Sequence, residues 1–316
     1  MTNSTSEKKV ITSAPPHWHS VIVILLFGVF FLWLLPTKER LDEAATMDTF
    51  TQVLFPQYMD LYTIAYSRAF IAVCIWAVTL NMVTSKGWEQ NTSYLAGSKL
   101  KIVPNHLVGI KTCFPFTSLC WNLLGISFTL SAYIAMQGAR GEAVSPLILR
   151  TALVAWEIAA PCTLLVASVI RYAIWPGVLA KGMPTKNLKT VRNIFMHNIN
   201  VFFAVSESAL LGGLPVRWTE ISLAPLFAIA YVVFTWNMTT SWNKREHGVQ
   251  FIYFFFDTTL PGYTCTIALV ALMGALLIFF VIFCSCEKLL AWLDSGIWAS
   301  LGYVFLICSG VMRFRD

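Results

Sequence analysis

The chain has 316 residues, of which 57% are apolar, 14% aromatic and only 12% charged, and its formal charge is +6. Soluble domains carry about 25% charged residues, so this composition excludes a water-borne globule and makes lipid the solvent for much of the surface. The Lys and Arg residues are scattered through short loops and form no continuous basic stripe, which argues against nucleic acid and for membrane lipids as partners.

Residues 1–19 are polar and rich in Ser and Thr up to Pro15-Pro16, and are expected to form a disordered cytoplasmic arm. A bilayer core of about 30 Å needs on the order of 20 apolar residues, and its lack of water restricts spanning elements to helices or closed barrels. Apolar runs without period-two alternation select helices. They fall near 20–35, 62–83, 113–136, 147–175, 195–211, 221–238 and 264–284, with a weaker eighth at 297–312. The expected fold is an all-α, polytopic integral membrane helical bundle of seven or eight transmembrane helices, forming a single domain over 20–312.

With the N-terminus in the cytoplasm, inner loops receive twelve Lys and Arg residues and outer loops five, or fourteen against six if the last run also spans. The expected location is the endoplasmic reticulum or plasma membrane. This orientation puts the Asn91-Thr92-Ser93 sequon inside, away from glycosylation. Eight cysteines (Cys74, Cys113, Cys120, Cys162, Cys265, Cys284, Cys286 and Cys308) lie almost all in apolar runs and read as packing groups. They form no disulfide framework or C-x-x-C metal signature, so neither a metal nor a cofactor is expected. Cys284 and Cys286, at a span exit, are alternatively palmitoylation sites.

Ionisable groups inside spans are costly and mark either pairing or function. They are Arg68, Glu157, Arg171, His197 and Glu207. Arg68 needs a carboxylate, for which Glu157 or Glu207 is available, and Arg171 lies near a span end from which it snorkels. In FMHNINVFFAVSESALLGG, His197, Asn200, Ala204, Glu207 and Leu211 recur at three- and four-residue steps and share one helix face. Such a stripe serves interhelical hydrogen bonding or a site.

Thr117, in CFPFTSLCWNLLGISF, opens the third span. Thr117 and His197 each lie within about one turn, roughly 6 Å, of the cytoplasmic start of an outward-running span. At matching depth, a hydroxyl and an imidazole make a nucleophile and its base, provided their helices pack. The structural alternative is a threonine bonded to its own helix backbone. Asp257, in VQFIYFFFDTTLPGY, is a candidate to orient the ring. That stretch reads as a short re-entrant or interfacial helix broken at Pro261-Gly262, with a loop carboxylate or helix cap as the alternative.

The stretches FPFTSLCWNLLGISF, WEIAAPCTLLV, FMHNINVFFAVSESALLGGLPVRW and LAPLFAIAYVVFTW followed by FIYFFFD, in this order over about 110–285, resemble a known family. It is the androgen-induced protein family of membrane threonine hydrolases, with the related rolling stone proteins. The resemblance implies a multi-span fold and hydrolysis of fatty acid esters of hydroxy fatty acids, with Thr117 in the nucleophile's place and His197 in the histidine's. YVVFTW and FIYFFFD are closer to the rolling stone proteins, and an extra N-terminal span and a longer basic loop precede Thr117.

The expected function is therefore a membrane-embedded hydrolase of lipid esters, with Thr117 and His197 catalytic and Asp257, Asn200 and Glu207 supporting. Asn198, Asn200 and Trp236 are candidate oxyanion donors. The alternative is a non-enzymatic rolling stone-like protein of membrane fusion, adhesion or lipid binding.

Overall fold

A computed structural model describes residues 10–316, apart from 91, 93 and 293–295 and the side chain of Arg245. Helical runs shuttle between two loop-bearing faces: Trp18–Trp33, Leu61–Thr84, Phe116–Ala139, Pro146–Ala180, 191–209, Trp218–Asn237, Thr264–Trp292 and Ile297–Val311. Five of them, Leu61–Thr84, Phe116–Ala139, Pro146–Ala180, Trp218–Asn237 and Thr264–Trp292, are long and apolar enough to cross a membrane. A sixth crossing results if Trp18–Trp33 and Lys38–Thr51, bent by 64° at Pro36, count as one span. The chain is thus an all-α bundle with the apolar helices of a multi-pass integral membrane protein. The two other expected spans are also helical. Asn193, His197, Asn198, Asn200 and Glu207 lower the apolarity of 191–209, and the 15 residues of Ile297–Val311 reach only about 22 Å.

Local chemistry sets the helix ends. Asp60 caps Leu61–Thr84 by accepting the Thr63 N–H at 2.8 Å, and Thr37 caps the helix after the Pro36 bend through the Arg40 N–H at 3.4 Å. The axis of the bundle is the helix from Pro146, in which every residue from Ala155 to Ser168 is buried. Phe116–Ala139, 191–209 and Thr264–Trp292 pack around it. Trp121, Phe128, Trp156, Phe203 and Phe283 interlock there, and the Trp156 indole N–H donates to the Leu214 carbonyl at 3.1 Å.

The buried Arg68 pairs with Glu207. Its Nε and Nη2 donate to Oε2 and Oε1 at 3.0 and 2.5 Å, and Nη1 donates to the Phe50 carbonyl at 2.6 Å. The other carboxylate, Glu157, instead accepts the backbone N–H of Arg217. Arg171 reaches past its own helix to the Ser309 carbonyl at 2.5 Å, near the end of Ile297–Val311. Cys284 is buried, its thiol facing the Val216 carbonyl at 3.3 Å, and all eight cysteines are free thiols.

One face carries residues 10–17, the described residues of 85–115, and 181–190, 238–263 and 312–316, tied by bonds such as Val249 N–H to Ile11 O at 2.8 Å and Lys189 to Asp316 at 2.7 Å. The opposite face carries 34–60, 139–145 and 210–217, tied by Leu54 to Leu211 and by an Arg150–Asp42 pair at 3.2 Å. Within the expected arm, the Ile11 backbone pairs with Val249 and the His17 ring caps the first helix. The expected arm's residues 1–9 lie outside the described residues, as do Asn91 and Ser93 of the sequon. Thr92 is buried and donates to the Phe251 carbonyl at 2.9 Å.

A folded layer covers the first face. Trp88–Gln90 and Asn105–Leu107 pair as an antiparallel ribbon. Gly87 enters it at φ 72°, where a Cβ would lie 2.1 Å from the Leu107 carbonyl. The stretch 249–260 lies against this layer as bends and turns with one 3-10 turn at Phe254–Phe256, in place of the short helix expected. The carbonyls of Phe251 and Ile252 are taken by side chains of Gln90, Thr92 and Asn105, which satisfies that backbone without helix formation.

Candidate functional site: an apolar cavity ending at Thr117

The helix Phe116–Ala139 begins at Pro115, whose side chain offers no cap to the first N–H groups. The Phe116 N–H donates instead to the Tyr253 hydroxyl at 3.2 Å. Thr117, partly buried, lines a cavity of about 360 Å³. Its walls come from the Pro146–Ala180 helix at Leu165–Ile174, from Ala228, Tyr231 and Val232, from Tyr253–Phe256, and from Thr264–Trp292 at Leu269–Leu276. Among the described residues, no charged side chain lines it. Its lining residues Val169, Ile174 and Phe254 are exposed, so the cavity reaches the outer surface of the bundle.

The Pro146–Ala180 helix passes into a π turn at Ile170–Ile174, and Ile170, Ala173 and Ile174 of that turn are cavity residues. A π turn widens a helix locally and recurs at functional sites. At the cavity's polar end the Thr117 hydroxyl lies beside that of Tyr253. Burial pushes the Tyr253 phenol up to about 12, so it keeps its proton at neutral pH. Tyr231, only 4% exposed, brings a second phenol to the same end. Its hydroxyl is close to Tyr253 and to the Phe116 backbone, yet makes no hydrogen bond of good geometry with any described residue.

His197 sits in a second π turn, Phe195–Ile199, which packs against the Thr117 helix. The π turn interrupts the 3.6-residue period between His197 and the face shared by Asn200, Ala204 and Glu207. The His197 ring lies beside Arg192 and Asn193 and does not line the cavity, and among the described residues no hydrogen bond joins it to Thr117. The structure therefore brings the two elements together without joining the two side chains.

The supporting residues are engaged elsewhere. Asp257 accepts the Ser98 hydroxyl at 2.5 Å and the Thr259 N–H and hydroxyl at 2.8 and 2.7 Å, which makes it the buried tie between two loops. Asn200 accepts the N–H of Val201 at 2.8 Å, and Glu207 holds Arg68. Of the candidate oxyanion donors, Asn198 accepts the Arg313 N–H at 2.7 Å and Trp236 donates to the Phe256 carbonyl at 3.2 Å. Among the described residues, no cluster of His, Cys, Asp and Glu is placed to hold a metal. Residue patterns do not single out Tyr231 and Tyr253, although they stand in YVVFTW and FIYFFFD. No family model, curated protein or solved structure matches this chain.

Proposed function

We propose that this protein holds an acyl lipid in the cavity, with the hydrocarbon chain between the helices and the polar end at Thr117. One observation carries this reading: an apolar cavity, uncharged among the described residues, opens on the bundle's surface and ends at hydroxyl groups, one of them buried without a hydrogen-bond partner among the described residues. Ligand sites of about 300–1,000 Å³ combine an apolar lining with a few convergent polar groups in this way. A lipid diffusing in the bilayer reaches such a mouth without passing through water. The face carrying Lys99, Lys101, Lys111, Lys181, Lys186 and Lys189 is the cytoplasmic one in this reading, of the endoplasmic reticulum or plasma membrane, so the polar end lies near the inner leaflet.

Ester hydrolysis is the second reading. The place of Thr117 on the cavity wall, the packing of the His197 turn on its helix and the resemblance to membrane threonine hydrolases favour it. The Thr117 oxygen would add to the ester carbonyl while His197 takes its proton, directly or through one water, and returns it to the departing alkoxide. The same ring would then take a proton from water, whose oxygen adds to the acyl-threonine carbonyl, and give that proton to the departing Thr117 oxygen, which releases the acid and restores the hydroxyl.

In proteoliposomes, a diazirine-bearing acyl lipid is expected to label the protein, and Ala228→Phe, which fills the cavity, to reduce labelling at least severalfold. Equal labelling of a folded Ala228→Phe variant contradicts lipid binding in the cavity. A fluorophosphonate separates the two readings. Labelling abolished by Thr117→Ala and by His197→Ala supports hydrolysis, and absence of labelling in the wild type leaves lipid holding alone.

A further inference from the structure

Tyr231 is the group that the cavity's own structure leaves unexplained. A phenol buried in an apolar wall normally finds a partner, because an unmet hydroxyl costs on the order of 1–3 kcal/mol. Here the nearest candidate is the Tyr253 oxygen, which accepts the Phe116 N–H, and among the described residues the Tyr231 hydroxyl meets no acceptor with hydrogen-bond geometry. The partner it lacks is a hydrogen-bond acceptor at the cavity's polar end.

The same cavity limits what that acceptor is. Among the described residues, no Lys, Arg or His is on its wall. An ionised carboxylate would have to shed its hydration there against hydroxyl dipoles and the start of the Phe116–Ala139 helix alone, which is strongly unfavourable in an apolar surrounding. A neutral carbonyl oxygen sheds far less water and needs one donor.

We infer that the Tyr231 hydroxyl recognises the acyl lipid by donating to an uncharged carbonyl, so that the site selects acyl esters over both ether lipids and ionised fatty acids. This rests on the proposed lipid-holding reading and assigns its specificity to a residue that neither the threonine nor the histidine accounts for. Tyr231 is a recognition residue in this account, with Thr117 beside the carbonyl it binds.

The test uses the full-length protein in nanodiscs and a photoreactive acyl ester, with three competitors of equal chain length: a 1-acylglycerol, its 1-alkyl ether analogue and a fatty acid above its pKa. For the wild type, the ester is expected to compete on the order of tenfold better than the ether and better than the ionised acid. In Tyr231→Phe that advantage is expected to vanish while competition by the ether stays unchanged, which also shows that the cavity remains folded. Equal competition by ester and ether in the wild type overturns the inference while leaving lipid holding intact. So does an advantage that survives Tyr231→Phe, or one lost in Thr117→Val instead. An ionised acid competing as well as the ester overturns the uncharged head. If the wild type captures no probe, the lipid-holding reading itself fails, and the inference with it.

Discussion

Glu207→Gln removes the negative charge opposite Arg68 and leaves the side-chain shape nearly unchanged. Both groups are fully buried, and the guanidinium contacts the carboxylate at 2.5 and 3.0 Å and the Phe50 carbonyl at 2.6 Å. Glutamine supplies one acceptor oxygen, so at most one of the two side-chain contacts survives and the cation is left buried and uncompensated. Breaking such a pair from one side costs about 3–5 kcal/mol. Replacing both partners, as Arg68→Met with Glu207→Leu, removes the charge along with its partner, and the double variant is expected within about 2 kcal/mol of the wild type. The assay is reversible unfolding in mixed micelles at rising mole fraction of dodecyl sulfate, followed by tryptophan fluorescence. A loss under about 1 kcal/mol for Glu207→Gln, or a double variant as unstable as the sum of the singles, refutes the buried ion pair as a structural tie.

Gly212 lies against the same pair, and a Cβ there would sit 1.9 Å from Arg68 Nη2. Gly212→Ala is therefore expected to cost about 1–3 kcal/mol in the same unfolding assay, most of it abolished in the Arg68→Met background. Asp257→Ala removes the acceptor of three hydrogen bonds from Ser98 and Thr259, and the loop around 98–105 should become cleavable by added protease while the helices remain protected. The hydrogen bond from Lys189 holds the Asp316 carboxyl below the usual Asp range, so the folded state binds that proton less readily than the unfolded chain. Its contribution is present at neutral pH and is lost as pH falls through the folded-state value, below about 4. Hydrogen exchange at 312–316 and the fluorescence of Trp175, whose indole N–H donates to Asp316 at 3.1 Å, should change only in that acid range.

The helical bundle is legible in the sequence because a bilayer leaves the chain few options. Apolar runs near 62–83, 113–136, 147–175, 221–238 and 264–284 match the five long apolar helices. The need of Arg68 for a carboxylate is equally legible, since a buried cation needs an anion, although only the folded chain chooses Glu207 over Glu157. The site is less so. Helical periodicity puts His197 on one face with Asn200 and Glu207, but the π turn at Phe195–Ile199 interrupts that period, and a one-residue insertion in hydrogen bonding leaves no mark in residue spacing. Asp257 reads as a candidate orienter of the ring because its partners, Ser98 and Thr259, include one from a loop more than 150 residues away. Tyr231 and Tyr253 meet only through tertiary packing, so neither stands out from the many aromatic residues of their stretches. Thr117 alone is both a candidate by sequence and a residue of the cavity.

The most direct test is to irradiate proteoliposomes containing an acyl ester with a diazirine near the middle of its chain and to map the cross-linked peptides by mass spectrometry. The account predicts adducts on 165–174, 253–256 and 269–276, reduced by Ala228→Phe and by excess unlabelled ester. Adducts spread evenly over the lipid-facing residues of Leu61–Thr84 and Thr264–Trp292, with none in those three stretches beyond that background, would contradict it.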